Sequence, residues 1–298
     1  MSLAKNRELH RILLSLVFCA CFVFPALALE KVRYPVSRFA DIDSHDDYTV
    51  EMLRLAIQKS GVNLSLQPVR TDLNKIRTLA ELKDGTALDV VWGGAYKERE
   101  AAMLPIRICL MKGLMGWRIP LVTKKNSHMF AKVENLNDLR QFTAGQGYHW
   151  TDTQVLLASG IKVERSYEFE FLFRMLEAGR FDYFPRSLME IWNEFDTHQE
   201  MDLAIDTHIV IHYPAAFYFY VKKGNKELAS IIQRGLEAAI KDGSFDKLFY
   251  AFHKKEIINA GLENRKVIEL SNPFLTPETP LARKELWFGI KDLKKIEH

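Results

Sequence analysis

The chain has 298 residues, 48% hydrophobic and 27% charged, the proportions of a globular protein with ample material for a core. Its 41 Lys and Arg against 38 Asp and Glu give a formal net charge of +3, and the first 28 residues hold Lys5, Arg7 and Arg11 against Glu8, so the remainder is close to neutral. That balance offers no electrostatic case for nucleic acid or an anionic membrane, and the length suggests two domains or one large one.

In chain order, Lys5, Arg7, His10 and Arg11 precede an apolar run at 12–28, "ILLSLVFCACFVFPALA". A basic start, an apolar middle and an end with small residues at Ala26 and Ala28 predict a secretory signal cut after Ala28. The competing reading is a signal anchor, but Pro25 favours cleavage and the run is shorter than the ~20 apolar residues that span a bilayer. Cys19 and Cys21 leave with this segment. Cys109 then stands alone, which excludes an intramolecular disulfide and reads as a small buried apolar residue.

From residue 31 the pattern alternates. Strands are expected at 31–37, 62–69 and 88–94, with helices over "DYTVEMLRLAIQKSG" (47–61) and "TDLNKIRTLAELKDG" (71–85). Such βαβαβ order predicts a mostly parallel sheet with right-handed crossovers. The same grammar restarts with a short helix at 135–141, a strand at 142–147, a helix from 150, a strand at 162–166 and a helix at 168–179. A strand "FDYFP" (181–185) and a helix "SLMEIWNEF" (187–195) close that unit. Two extended stretches, 116–124 and 213–224, join the units and would form a hinge. Two helices follow at 226–243 and 244–255, then a proline-rich tail, "NPFLTPETPLARKELWF", expected to wrap along the surface.

Several segments carry a resemblance. "LRLAIQKSG", the strand stretch "LKDGTALDVVWGG" with an arginine after it, the glycine turn in "AGQGYHWTDTQVL", a G-x-x-D at Gly179 and Asp182, and the run from Tyr213 to Phe249 follow one another in a fixed order. The chain resembles the bacterial extracellular solute-binding proteins of family 3, which have the type II periplasmic binding-protein fold best known from amino-acid ABC importers. The resemblance implies an α/β, two-lobed fold with two hinge strands. Residues 29–118 plus 220–298 would form lobe one, and 119–219 lobe two. It also implies a periplasmic, monomeric binder of a small polar solute, working with an ABC permease or a membrane sensor, and not an enzyme. A ligand-sensing module is the alternative, and a dehydratase-like enzyme a lesser one.

The binding residues follow from that resemblance. Arg99 matches the arginine that pairs a ligand carboxylate, for which a planar guanidinium is well shaped. The competing reading pairs it with Glu98 or Glu100 on a helix surface. Trp92 and Tyr96 bracket its loop as aromatic walls or, for Trp92, as core. Gln146, Gly147 and Trp150 stand where a strand hands over to a helix, and free N–H groups there could hold an anion. The family's ammonium-binding acid falls on Ser187, beside Arg186, with no carboxylate until Glu190. This predicts an anionic guest shared by Arg99 and Arg186; the competing reading pairs Arg186 with Glu190. Arg118, in the first hinge stretch, is a further candidate. His208 and His212 share a strand face without the ligands to complete a metal set, and no cofactor motif is present.

Overall fold

The computed structural model describes residues 31–37, 44–71 and 87–296. The expected leader and almost all of the helix expected at 71–85 lie outside the described residues.

The first lobe opens with β1 (Lys31–Ser37), α1 (Ser44–Ser60) and β2 (Ser65–Thr71), and β1 and β2 pair in parallel. It continues with β3 (Val90–Gly94), α2 (Lys97–Ala102) and β4 (Leu104–Ile106). The chain then crosses on β5 (Trp117–Thr123), all seven residues of which are buried. The second lobe holds α3 (Leu136–Leu139), β6 (Thr143–Gly147), α4 (Thr151–Ala158), β7 (Lys162–Ser166), α5 (Phe169–Glu177), β8 (Phe184–Ser187), α6 (Ile191–Thr197), β9 (Leu203–Ile205) and β10 (Ile209–His212). The return strand β11 (Phe217–Val221) leads into α7 (Lys226–Lys241) and α8 (Ser244–Asn259), and the chain goes back once more through β12 (Lys266–Glu269).

The sheets are less parallel than the alternation predicts. β6 pairs β7 and β10 pairs β12 in parallel, but β5 runs antiparallel to β8, β9 and β10, and β11 antiparallel to β3 and β4. The reason is the crossovers: β5 and β11 are drawn into the lobe sheets while travelling between lobes, so they run against their neighbours. Where the two connections pass, Tyr213 N–H donates to Gly116 O at 3.2 Å, and a Cβ on Gly116 would lie 1.9 Å from Tyr213 O. Only glycine permits that approach.

Lobe one closes over α7. The Asn225 side chain caps this helix by accepting from Leu228 N–H at 3.1 Å, and Leu228, Ile231, Ile232, Leu236 and Ala239 form its buried stripe. That stripe packs on α1, which buries Met52, Leu53, Ala56 and Ile57. Cys109 is buried nearby, as its composition predicts, and burial pushes its thiol up to about 11. Lobe two has its own core around Val122, Phe130, Tyr183 and Tyr213.

The C-terminal segment departs from the expected assignment of 220–298 to lobe one. β12 adds to the lobe-two sheet beside β10, and Ile268 and Leu270 enter the lobe-two core. The tail then turns back. Asn272 donates to Pro214 O at 2.9 Å, Thr276 to Glu100 at 3.0 Å, and Arg283 forks onto Glu237 of α7 at 2.6 and 2.9 Å. It ends against the first crossover, where Phe288 N–H donates to Lys112 O at 2.7 Å.

Gly235 sets the α1–α7 distance, because a Cβ there would lie 1.7 Å from Ala56 O, a backbone atom that cannot swing aside. Gly235→Ala gains about 1 kcal/mol in helix propensity. Separating the helices costs more, about 1–3 kcal/mol for overpacking and here at the upper end. Urea unfolding is expected to show a net loss of stability; an unchanged or raised midpoint would refute this account of the contact.

Candidate functional site

On the lobe-one side, β3 ends in Gly93 and Gly94, and the chain turns through Tyr96 into α2. Arg99 folds back over this turn. Its Nη1 donates to Gly94 O at 2.5 Å, and a Cβ on Gly93 would lie 2.2 Å from the same nitrogen. The guanidinium lies 4.6 Å from the ring centre of Tyr96 and 5.6 Å from that of Tyr220. Among the described residues it meets no carboxylate at ion-pair distance, and its Nε is buried without a partner. The pairing with Glu98 or Glu100 is therefore not formed. Glu100 instead accepts from Arg107 at 2.6 Å and from Thr276. Trp92 is half-buried and packs toward Tyr34 and Phe219, ring centres 6.3 and 6.2 Å away.

On the lobe-two side, one cluster gathers the remaining candidates. Arg118 of β5 is almost wholly buried. Its Nε donates to the Tyr213 hydroxyl at 3.1 Å, one Nη meets Glu190 at 3.3 Å and the other meets Asp152 at 2.7 Å. The Tyr213 hydroxyl donates in turn to Asp152. Burial works against the Arg118 charge; Asp152, Tyr213 and Glu190 overcome it and hold its pKa above the usual arginine value. Burial pushes the Tyr213 phenol well up.

Arg186 is the next member, and its place corrects the sequence reading. The strand expected at 181–185 is β8, Phe184–Ser187, so Arg186 lies inside it rather than at its open end. Its Nε and Nη2 fork onto Glu194 of α6 at 2.6 and 2.5 Å, and Nη2 also meets Glu190 at 3.1 Å. The guanidinium is further enclosed by the rings of Trp150, Phe184 and Phe169, at 4.8, 4.8 and 5.3 Å. It is thus no open grip for an anion. Burial again opposes the charge, and Glu190 and Glu194 outweigh it. Burial pushes the Glu194 carboxyl up, against the pull of Arg186.

The glycine turn has a packing purpose. A Cβ on Gly147 would lie 2.3 Å from the Trp150 ring, and one on Gly145 would lie 2.1 Å from Phe181. Glycine is needed here for rings to approach the backbone. Two of the amides that follow are used internally: Tyr148 N–H donates to Ser166 O and Trp150 N–H to Gly147 O, at 2.8 and 3.1 Å. Gln146 is fully buried, its Nε2 3.5 Å from Pro185 O and its Oε1 without a partner. Ser187 is also fully buried, and its hydroxyl turns to Leu114 O at 3.4 Å. His208 and His212 pair separately with Asp206 and Glu269, and no group of metal-ligating residues occurs among those described.

Arg118, Arg186, Trp150, Gly147 and Ser187 therefore share one neighbourhood, while Arg99, Tyr96 and Trp92 lie by β3; among the described residues the contacts of Arg99 and Arg186 have no residue in common. Sequence reasoning missed Glu194, Tyr213 and Phe169. Glu194 had a signal, since it stands one helical turn beyond Glu190. Exposure decides what a guest would meet at this cluster. The side chains of Asp152 and Glu190 are 21% and 22% exposed, those of Arg118 and Arg186 only 4% and 6%.

No family model matches the sequence, and no curated protein matches it. Solved structures do. An ancestral arginine-binding protein bound to arginine aligns with TM-score 0.53 and 20% identity over 76% of this chain and 99% of its own. An amino-acid ABC transporter substrate-binding protein from Streptococcus pneumoniae bound to L-arginine gives 0.51 and 15% over 76% and 96%. A histidine kinase sensor domain with similarity to periplasmic binding proteins gives 0.53 and 15% over 76% and 96%. These likenesses show the fold: α/β and two-lobed, of the type II periplasmic binding-protein kind.

Replacing Arg118 by Met keeps the apolar stem but strips Asp152 of its arginine partner and Glu190 of one of two. Removing one partner of a buried pair costs about 3–5 kcal/mol, and the partial exposure of the acids places this variant near the lower figure. Urea unfolding of the variant at neutral pH measures the loss; an unchanged midpoint would contradict the pairing.

Proposed function

We propose that this chain, built on the type II periplasmic binding-protein fold, is a periplasmic binding protein that captures a small polar solute between its lobes. Its work is binding and delivery, to an ABC-type importer, rather than catalysis. Ligands of open α/β folds sit at the carboxyl ends of strands, and Arg99 stands at that end of β3. The single observation that carries the proposal is the Arg99 guanidinium: it meets no carboxylate among the described residues and retains a buried donor without a partner.

The geometry shifts the expected guest. An anion gripped by Arg99 and Arg186 together is disfavoured, because Glu194 and Glu190 already neutralise Arg186. The groups of lobe two with exposed surface are the carboxylates Asp152 and Glu190. A solute with a carboxylate for Arg99 and a donor or cation for the acids fits both, and a free amino acid is the simplest such molecule. The bound ligands of two solved neighbours support that class. A sensing role is the second reading, favoured by the kinase sensor domain of like fold. Among the described residues, no helix is long and apolar enough to cross a membrane.

A thermal-shift screen of free amino acids, dicarboxylates and other small anions tests the proposal. A ligand present at a hundred times its Kd stabilises a fold by about 2.7 kcal/mol, which raises the midpoint. An amino acid is expected to do so, and Arg99→Ala is expected to weaken its binding roughly 10- to 100-fold, the loss of a charge-assisted hydrogen bond pair. Shifts by dicarboxylates alone would restore the anionic guest. An amino-acid shift that survives Arg99→Ala would remove Arg99 from the site.

A further inference from the structure

The surroundings of Arg186 have the composition of a binding site. A planar cation is met edge-on by a bidentate carboxylate, Glu194, and by a second, Glu190. The rings of Trp150, Phe184 and Phe169 lie within cation–π reach. The Trp150 and Phe184 rings are nearly parallel to one another, at 14°. Fork geometry and ring contacts select a guanidinium over a compact ammonium. One member of this constellation, Arg186, is the occupant; the rest is its receptacle.

The receptacle also has an approach from outside. An open pocket of about 360 Å³ between α5 and α6 is lined by Phe169 and Glu194 themselves, with Glu170, Arg174, His198 and Glu200 around them. Three of those side chains are carboxylates against one arginine, Arg174, and His198 lies 3.0 Å from Glu170. The pocket thus favours entry of a cation toward the acid that holds Arg186.

We propose that the Trp150–Phe169–Phe184 enclosure with Glu190 and Glu194 is a guanidinium-binding site that the chain fills with its own Arg186 side chain. While Arg186 is in place it excludes external guanidinium compounds from this part of lobe two. Removing it frees the site for one. The proposal concerns the enclosure alone and stands whether or not a solute binds at Arg99.

The test uses Arg186→Ala and methylguanidinium chloride at millimolar concentration, far below the denaturing range, with NaCl as the matched-salt control. Arg186→Ala is expected to unfold at a lower temperature than wild type, since Glu194 loses its partner. Methylguanidinium is expected to recover most of that deficit saturably, to bind with one-to-one stoichiometry by calorimetry, and to leave wild type unmoved. Arg186→Ala combined with Glu194→Gln is expected to lose the recovery. Arg186→Lys keeps the enclosure occupied and is expected to show none. If Arg186→Ala does not fold alone, refolding from urea with and without methylguanidinium takes the place of the melt, and native circular dichroism only with the additive counts as recovery. Recovery no greater than with NaCl, equal stabilisation of wild type, or failure to refold in either salt would each overturn the proposal.

Discussion

A guanidinium buried on a crossover strand has to be neutralised where it stands. Leaving such a charge without partners costs several kcal/mol, enough to consume much of a domain's stability. Arg118 is that charge. Its register against β8 sets it opposite Ser187, next to Arg186, so a second buried cation adjoins the first. Each lowers the other's tendency to stay charged, and the acids around them answer this. Glu190 meets both guanidiniums through one oxygen, Asp152 completes Arg118, and Glu194 completes Arg186. The first turn of α4, the turn after β8 and the inner face of α6 are thereby fixed relative to the crossover.

This arrangement explains why a cluster that reads as cationic in the sequence exposes acid. Guanidiniums have long stems and reach inward, where carboxylates can surround them; the shorter acids are left at the edge. The sign of a binding surface is then the sign of what remains exposed, and counting arginines in a motif overstates its positive charge. Arg99 differs because α2 places Glu98 and Glu100 away from it, Glu100 being held by Arg107 and the tail.

Much of the fold was legible. Apolar periodicity located α1, α5 and α7, and the two extended stretches at 116–124 and 213–224 proved to contain β5 and β11. Asp182 of the G-x-x-D at 179–182 has a clear structural use, accepting from Thr143 N–H at 2.7 Å to tie β6 to the approach of β8. Strand direction was less legible, because antiparallel pairing of β5 and β11 depends on where the crossovers lie. The site was read unevenly. Arg118 and Trp150 were named, but their partners come from α4, α6 and the second crossover, separated by tens of residues, and local spacing carries no record of such pairs. The role of Gly145 and Gly147 was hidden for the same reason: it is set by the rings of Phe181 and Trp150.

The C-terminal segment changes the mechanics of the molecule. Besides β5 and the approach to β11, the backbone spans the lobes on the way into β12 and again on the way out, and it is pinned at Pro214, Glu100, α7 and Lys112. A body joined by two ribbons swings about them freely, whereas one laced at further points can turn only as far as the lacing gives. Each tether is a hydrogen bond or a fork contributing on the order of 1 kcal/mol. Any change in the angle between the lobes would strain the contacts of residues 270–288, so sequence changes in that stretch would alter how far the lobes can turn.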